Sequence, residues 1–216
     1  MEWKRVPKEF SKQPRTGKYS DWKGILAQEG YFQCVYCAIH ESCFGGIRNF
    51  HVEHYRPKAR FRKLQNDIKN LFYACPICNT FKGDDWPNEP LEDFSNPSYP
   101  DPSRVEYNKI FEVDATAGEI EGKYIAAKYM IEKMNLNRPQ LISERRIFYA
   151  HLKLKEFQEF FMRIIPVLEQ NRHKRAKHFL AQIAKLFINI SSLQREFRTV
   201  RPYQEADIKK KQPVIL

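Results

Sequence analysis

Phe50-His51-Val52-Glu53-His54-Tyr55-Arg56-Pro57 lies between two cysteine pairs, Cys34-Val35-Tyr36-Cys37 upstream and Cys75-Pro76-Ile77-Cys78-Asn79 downstream. Two C-x-x-C knuckles a few tens of residues apart have the spacing of a tetrahedral four-cysteine zinc site, because each knuckle folds two thiolates round one side of the ion. Zinc on Cys34, Cys37, Cys75 and Cys78 would clamp the chain, with the Glu53-His54 pair between the jaws. Successive strand residues point to opposite faces, so Glu53 and His54 cannot project together from an ideal strand. A bend or strand end is therefore expected here, with Pro57 helping to terminate the ladder.

The order of parts resembles the HNH endonucleases, whose ββα-metal site runs C-x-x-C, an acid-His pair on the first strand, an Asn in the loop, and C-x-x-C-N opening the helix. The resemblance runs from Cys34 to Lys82, about a quarter of the chain. It implies an α+β fold with a zinc-stapled ββα-metal core and a helical C-terminal region. It further implies a catalytic set of His54, Glu53, Asn70 and Asn79. Glu53, where the family usually has Asp, would ligate the catalytic metal together with Asn79. His54 would be the general base, and Asn70 would tie the loop and hold the imidazole.

The residues make chemical sense without the family. Hydrolysing a phosphodiester needs a base for the attacking water and a cation for the charge on the leaving oxygen. An imidazole of reference pKa about 6.5 beside an oxygen-ligated metal offers both. Hard oxygen ligands suit Mg2+ or Mn2+, whereas four thiolates suit Zn2+, so two different metals are expected. His51 lies two residues before Glu53, on the same face of an ideal strand; it could reach the metal or a phosphate, or serve a structural hydrogen bond.

The chain has 216 residues, 42% hydrophobic and 14% aromatic, ample for a core. Its net charge of +11 and pI near 9.4 point to a polyanionic partner, nucleic acid ahead of an acidic membrane. No apolar run approaches the roughly 18 residues of a membrane span, and Met1-Glu2-Trp3-Lys4-Arg5 lacks a signal peptide's apolar core, so a cytoplasmic protein is expected. Four of the five cysteines sit in knuckles, as suits a reducing compartment. The fifth, Cys43, reads as a small buried hydrophobe, with a spare ligand or redox thiol as the alternative.

Four regions are expected: a basic N-terminal arm and short helix at 1–30, the HNH core at 31–83, an acidic connector with a small hairpin at 84–125, and the helical region at 126–216. The arm is broken by Pro7, Pro14 and Gly17. Ser20 is the expected N-cap of a helix through Trp22, Ile25 and Leu26 that ends at Gly30. The segment from Ala38 to Arg48, turning at Gly45-Gly46, is expected to start a hairpin into the Phe50 to Tyr55 strand. Arg56, Lys58, Arg60, Arg62 and Lys63 follow the acid-His pair at once and read as a phosphate-binding rim rather than a solvated face. Lys82, near the end of the helix opened by Cys75, would contact phosphate or answer the helix dipole.

From Asp84 to Asp114 nine acidic residues face two basic ones, with five prolines, which reads as an extended connector too negative to face nucleic acid. Tyr107 to Val113 and Glu119 to Tyr124 suggest a second hairpin about Ala117-Gly118. Ala126 to Met134 reads as a short helix. Beyond Pro139, apolar residues at three-or-four spacing predict two long antiparallel helices kinked at Pro166. Between them lies the basic cluster 172–178, read as a solvated helix start or a second nucleic-acid contact. Lys209-Lys210-Lys211 is expected in a disordered tail.

Asn96-Pro97, Asp101-Pro102, Gly118, Ala126-Ala127, Leu136-Asn137-Arg138-Pro139, Leu141 and Arg145 resemble the region downstream of the core in the PtuB-like nuclease subunit of Septu-type anti-phage systems. That resemblance implies an SMC/ABC-like (PtuA-like) ATPase partner and, in retron versions, a reverse transcriptase with its DNA. The expected function is thus a metal-dependent HNH endonuclease, DNA favoured, acting as a defence effector gated by the ATPase. An RNA nuclease effector (of tRNA, for example) and a non-catalytic zinc-stapled nucleic-acid-binding or adaptor module stand as alternatives.

Overall fold

Strand β1 (His51–His54) pairs antiparallel with β2 (Leu71–Ala74), setting His51 opposite Ala74 and His54 opposite Leu71. The structure is a computed structural model and describes residues 1–8, 17–170, 178–180, 182–183 and 185–187. Leu-Phe-Tyr-Ala in β2 is buried at all four positions, as expected of a strand covered on both faces. Helix α1 (Lys23–Glu29) packs on β2, and α2 (Pro76–Lys82) packs on β1. Cys75 caps α2, its sulfur accepting from the Cys78 N–H at 3.4 Å, and Pro76 takes the first turn, where a missing N–H costs nothing.

The hairpin partner of β1 is therefore β2 and not the 38–48 segment. That segment folds into two 3-10 turns, Glu41–Phe44 and Ile47–Asn49, with Gly45 and Gly46 between them at φ 79° and 92°. His40 caps the first turn through Nδ1, so local bonds satisfy the backbone that a strand would have offered to a ladder. α1 does end at Gly30, but it is entered through a 3-10 turn, Tyr19–Trp22. Ser20 does not cap it; Asp21 instead accepts from the Lys18 N–H at 2.9 Å.

The first eight residues are anchored to the core at two points. Trp3 and Val6 are buried, Trp3 Nε1 donates to the Tyr36 carbonyl at 2.8 Å, and the Val6 N–H donates to the Pro102 carbonyl at 3.0 Å. Lys8 pairs with Glu29 at 2.9 Å. An arm rich in cations is drawn inward because its two large apolar side chains find an aromatic core to join.

The acidic connector wraps this core without regular structure up to residue 106. Its apolar residues carry the contact: Trp86 packs against Tyr55 and Tyr99, with centroids 5.0 and 6.2 Å apart. Asp85 accepts from Tyr99 at 2.7 Å and also from Tyr129. Next comes a helical turn, α3 (Tyr107–Ile110), in place of the first part of the expected strand. β3 (Phe111–Val113) then pairs with β4 (Ile120–Gly122), and α4 (Ile125–Lys133) packs on β4.

α5 (Pro139–Gln170) follows and closes over the small hairpin. At Gly118, φ +79°, a Cβ would come within 2.4 Å of the Ile142 carbonyl oxygen, so only glycine permits this approach. Arg145, wholly buried on α5, donates to the carbonyls of Gly118 at 3.0 Å and Leu136 at 2.5 Å. Phe161 on α5 meets Phe187, their ring centroids 6.4 Å apart. The Pro166 side chain, most of the second helix, most of the 172–178 cluster and the 209–211 lysines lie outside the described residues. Among the described residues no helix is long and apolar enough to cross a membrane.

Candidate active site and metal centre

The sulfurs of Cys34, Cys37, Cys75 and Cys78 lie within 4.8 Å of one another, and all four residues are buried. A tetrahedron of zinc–sulfur bonds of about 2.3 Å has edges of about 3.8 Å. The Cys37 to Cys75 sulfur separation is 3.8 Å. Burial pushes the thiols of Cys34 and Cys78 up, a cost removed when a dication takes them as thiolates.

A neighbour from outside the core supports that charge state. The guanidinium of Arg138 approaches the sulfurs of Cys78, Cys37 and Cys75 at 3.6 to 3.8 Å. Burial opposes the charge of Arg138, yet the three sulfurs more than offset this and raise its proton affinity. A buried cation ringed by sulfur is satisfied by thiolates and not by neutral thiols. Burial brings the fully enclosed Arg145 down to about 10, still protonated at neutral pH. Two buried arginines thus sit beside a Zn(Cys)4 group that would carry two net negative charges. The sulfur cluster fits zinc.

One face of α2 closes this site while the adjoining face opens on another. A cleft of about 510 Å3 is lined by His51, Glu53, His54, Asn79 and Asp84, and also by Tyr19 and Lys58. β1 ends at His54, as the strand argument required, and the acid and the histidine share this one cleft.

Glu53 is nearly fully buried. Its Oε1 takes both of its partners, Lys82 Nζ at 2.7 Å and the Tyr36 hydroxyl at 3.0 Å. Burial pushes the Glu53 carboxyl up, and the Lys82 ammonium works against that. With both donors on Oε1, Oε2 is the atom left for a cation in the cleft. Asn79 turns its Nδ2 toward His51 Nδ1 at 3.2 Å, which leaves its Oδ1 as the free atom. A carboxylate oxygen and an amide oxygen are the hard donors that Mg2+ or Mn2+ prefers, so this pair fits such an ion.

His54 is held by the Gln65 carbonyl, 3.0 Å from Nε2. Since a carbonyl only accepts, Nε2 carries the proton and Nδ1 keeps its lone pair. Burial lowers the pKa of His54, the Gln65 carbonyl opposes this, and Lys58 and Lys82 add to the lowering. The imidazole is therefore a neutral base at physiological pH.

Several expected residues sit in other roles. Lys82, only 1% exposed, cannot reach a phosphate: it holds Glu53 and also donates to the His54 carbonyl at 3.0 Å. Asn70 ties the loop through the Arg56 N–H at 2.8 Å and the Arg56 carbonyl at 3.0 Å, but the imidazole is held by Gln65 instead. Arg56 pairs with Glu89 at 2.6 Å, and Arg60 donates to the Trp86 carbonyl at 2.7 Å, so the connector engages two of the five cations of the expected rim. Arg62 and Lys63 are exposed on a 3-10 turn outside the cleft lining. Cys43 is half-buried, its sulfur 4.0 Å from Glu144 and apart from the sulfur cluster.

Sequence reasoning missed Tyr19, Asp84 and Arg138. Tyr19 stands in a stretch read as basic arm. Asp84 opens the acidic run, where its charge blends with its neighbours. Arg138 belongs to the quoted Leu136-Asn137-Arg138-Pro139 stretch, but spacing along the chain carries no sign that it reaches the cysteines.

The HNH endonuclease family model matches residues 34–85, the stretch that holds both cysteine knuckles, β1, β2 and α2. That match supports a nuclease. No curated protein matches the chain.

Proposed function

We propose that the chain is a metal-dependent HNH endonuclease that hydrolyses phosphodiester bonds of nucleic acid, DNA first in line and RNA second. The observation that carries this reading is His54, a neutral base with Nδ1 free, sharing one cleft with the unpaired oxygens of Glu53 and Asn79.

His54 Nδ1 takes the proton of the attacking water, while the Gln65 carbonyl keeps the ring in that tautomer and orientation. Glu53 and Asn79 hold the Mg2+ or Mn2+, with Lys82 and Tyr36 orienting the carboxylate and His51 orienting the amide. When bound, that ion supplies Lewis-acid stabilisation of the charge developing on the scissile phosphate and its leaving oxygen. Zn2+ on the four cysteines would tie the 34–37 knuckle to the start of α2. Asn70 keeps the loop carrying Gln65 closed.

The test compares purified chain with His54→Ala and Asn79→Ala on DNA and RNA substrates, with and without Mg2+ or Mn2+. Both variants should keep zinc and fold, and His54→Ala should cut at least about 100-fold more slowly. Near-full activity of His54→Ala would overturn the assignment and pass the base role to His51. Failure of the intact chain to cut either substrate, alone or with its genomic neighbours, would leave the zinc-stapled binding or adaptor module.

The wider reading is a Septu-type or retron defence effector gated by an SMC/ABC-like ATPase. It is supported by the resemblance over 96–145 and by exposed apolar side chains on α5, among them Phe157, Phe160 and Met162. A +11 chain binding phosphates without a sequence reader also needs restraint in a cell. The ATPase encoded beside it should co-purify, and substituting Phe157 and Phe160 should abolish that while zinc content holds. A neighbouring ATPase that neither binds nor alters the cutting rate would leave a free-standing endonuclease.

A further inference from the structure

We infer that Tyr19 and Lys58 form a phosphate clamp on the cleft wall beside His54, gripping the nucleic-acid backbone there. This rests on the nuclease reading and names the part of the site that holds substrate. Of the cations expected on the rim, Arg56 is paired with Glu89, Arg60 with the Trp86 carbonyl, and Lys82 is enclosed. Lys58 is the one that both lines the cleft and is exposed. Lys23 also lines it, but its ammonium donates to the Arg48 carbonyl at 3.0 Å.

Lys58 is coupled to Tyr19. Its ammonium lies 3.4 Å from the Tyr19 hydroxyl oxygen and 5.2 Å from the ring centroid. In that contact the lysine donates and the hydroxyl accepts, which leaves the hydroxyl proton for an acceptor in the cleft. An ammonium and a phenol side by side are two donors suited to the oxygens of one phosphate. The Tyr19 ring also stands edge to face with the His54 imidazole, centroids 4.7 Å apart at 73°. A phosphate held there lies next to the base.

The wall is anchored. The Tyr19 N–H donates to Asn66 Oδ1 at 3.0 Å, and Asn66 follows Gln65, whose carbonyl holds His54. One loop therefore fixes the base and the clamp together. That shared anchorage gives Tyr19 two effects: its hydroxyl acts on substrate, and its ring acts on the imidazole.

Binding is read by fluorescence anisotropy over a salt series, using labelled duplex DNA and labelled single-stranded RNA. The full chain carries His54→Gln so that neither probe is cut. Lys58→Met on that background should weaken binding and lower the slope of log affinity on log salt by about 0.9 for duplex DNA, the value for one lost phosphate contact. Lys109→Met removes the same charge from an exposed site outside the cleft and should leave the slope unchanged. In the His54 chain, Tyr19→Phe should raise KM with kcat kept, while Tyr19→Ala should lower kcat as well. A slope as insensitive to Lys58→Met as to Lys109→Met would overturn the clamp. The two readings fail separately: a chain that cuts with an unresponsive slope loses only the clamp, and one that shows the slope change without cutting loses only the nuclease.

Discussion

Cys78 and Asn79 are neighbours on α2, yet Cys78 is sealed among four sulfurs and Asn79 opens on the cleft. At 3.6 residues per turn, adjacent positions point about 100° apart, so a single helical turn serves the sulfur cluster and the cleft at once. The sulfur site is closed, all its protein ligands are in place, and a guanidinium backs it. The cleft offers two hard oxygens, a free base nitrogen and room for substrate. A closed four-thiolate site is built to hold structure, whereas a site with unfilled positions is built to act on something that enters. The contrast teaches that a core this small can place a closed set of four sulfurs and an open polar cleft on adjoining faces of one short helix.

The largest effect that can break this contrast is loss of zinc. Cys78→Ser, or removal of the ion by a strong chelator, should unfold the core and aggregate the chain. Structural zinc contributes on the order of 10–16 kcal/mol, as much as the whole stability of a typical domain. Metal analysis with circular dichroism checks this, and well-folded protein without zinc would sink it.

Lys82→Met comes next, because it crosses from one site to the other. Removing one partner of a buried ion pair costs about 3–5 kcal/mol and leaves Glu53 enclosed without its cation. The variant should melt lower yet retain zinc, and Mn2+ binding followed by electron paramagnetic resonance should be lost. Unchanged Mn2+ affinity would show that Lys82 does not orient Glu53.

Arg138→Met sharpens the other side. Loss of a partner that supports a metal's ligands typically costs 10–100-fold in affinity, so zinc should pass to a colorimetric chelator faster by about that factor. Release at the unaltered rate would mean that Arg138 only fills space. The smallest effect concerns pH. Burial lowers the His54 pKa, so the fraction of neutral base at any given pH is larger than for a free imidazole. The acidic limb of kcat/KM should therefore fall below about 6.5, the free-imidazole value. A limb at or above that value would contradict the enclosed, neutral base.

How much of this was legible along the chain differs between the two sites. Two C-x-x-C knuckles at this spacing match a four-thiolate metal site, so the cluster could be foreseen. The acid-His pair and the Asn after the second knuckle could be foreseen as members of a site. The partner of each could not. That Oε1 of Glu53 is taken by Lys82 and Tyr36 depends on α2 packing against β1, and that Gln65 holds His54 depends on how the 62–70 loop closes. The basic run has the same limit: charge along the chain does not tell which cations a connector will engage, and Glu89 and the Trp86 carbonyl engage Arg56 and Arg60.

By itself the sequence determined the four-cysteine cluster and the α+β class, and it picked out Glu53, His54 and Asn79 as neighbours of one cleft, because those follow from ligand chemistry and short spacings. Tertiary structure alone decided that Arg138, far downstream, sits against the sulfurs, that Trp3 and Val6 join the core, and that Lys82 turns inward while Lys58 lines the cleft. Each of those outcomes is a contest between water and a buried partner. It is settled by which groups the folded chain brings within hydrogen-bonding reach, a distance that sequence separation does not measure.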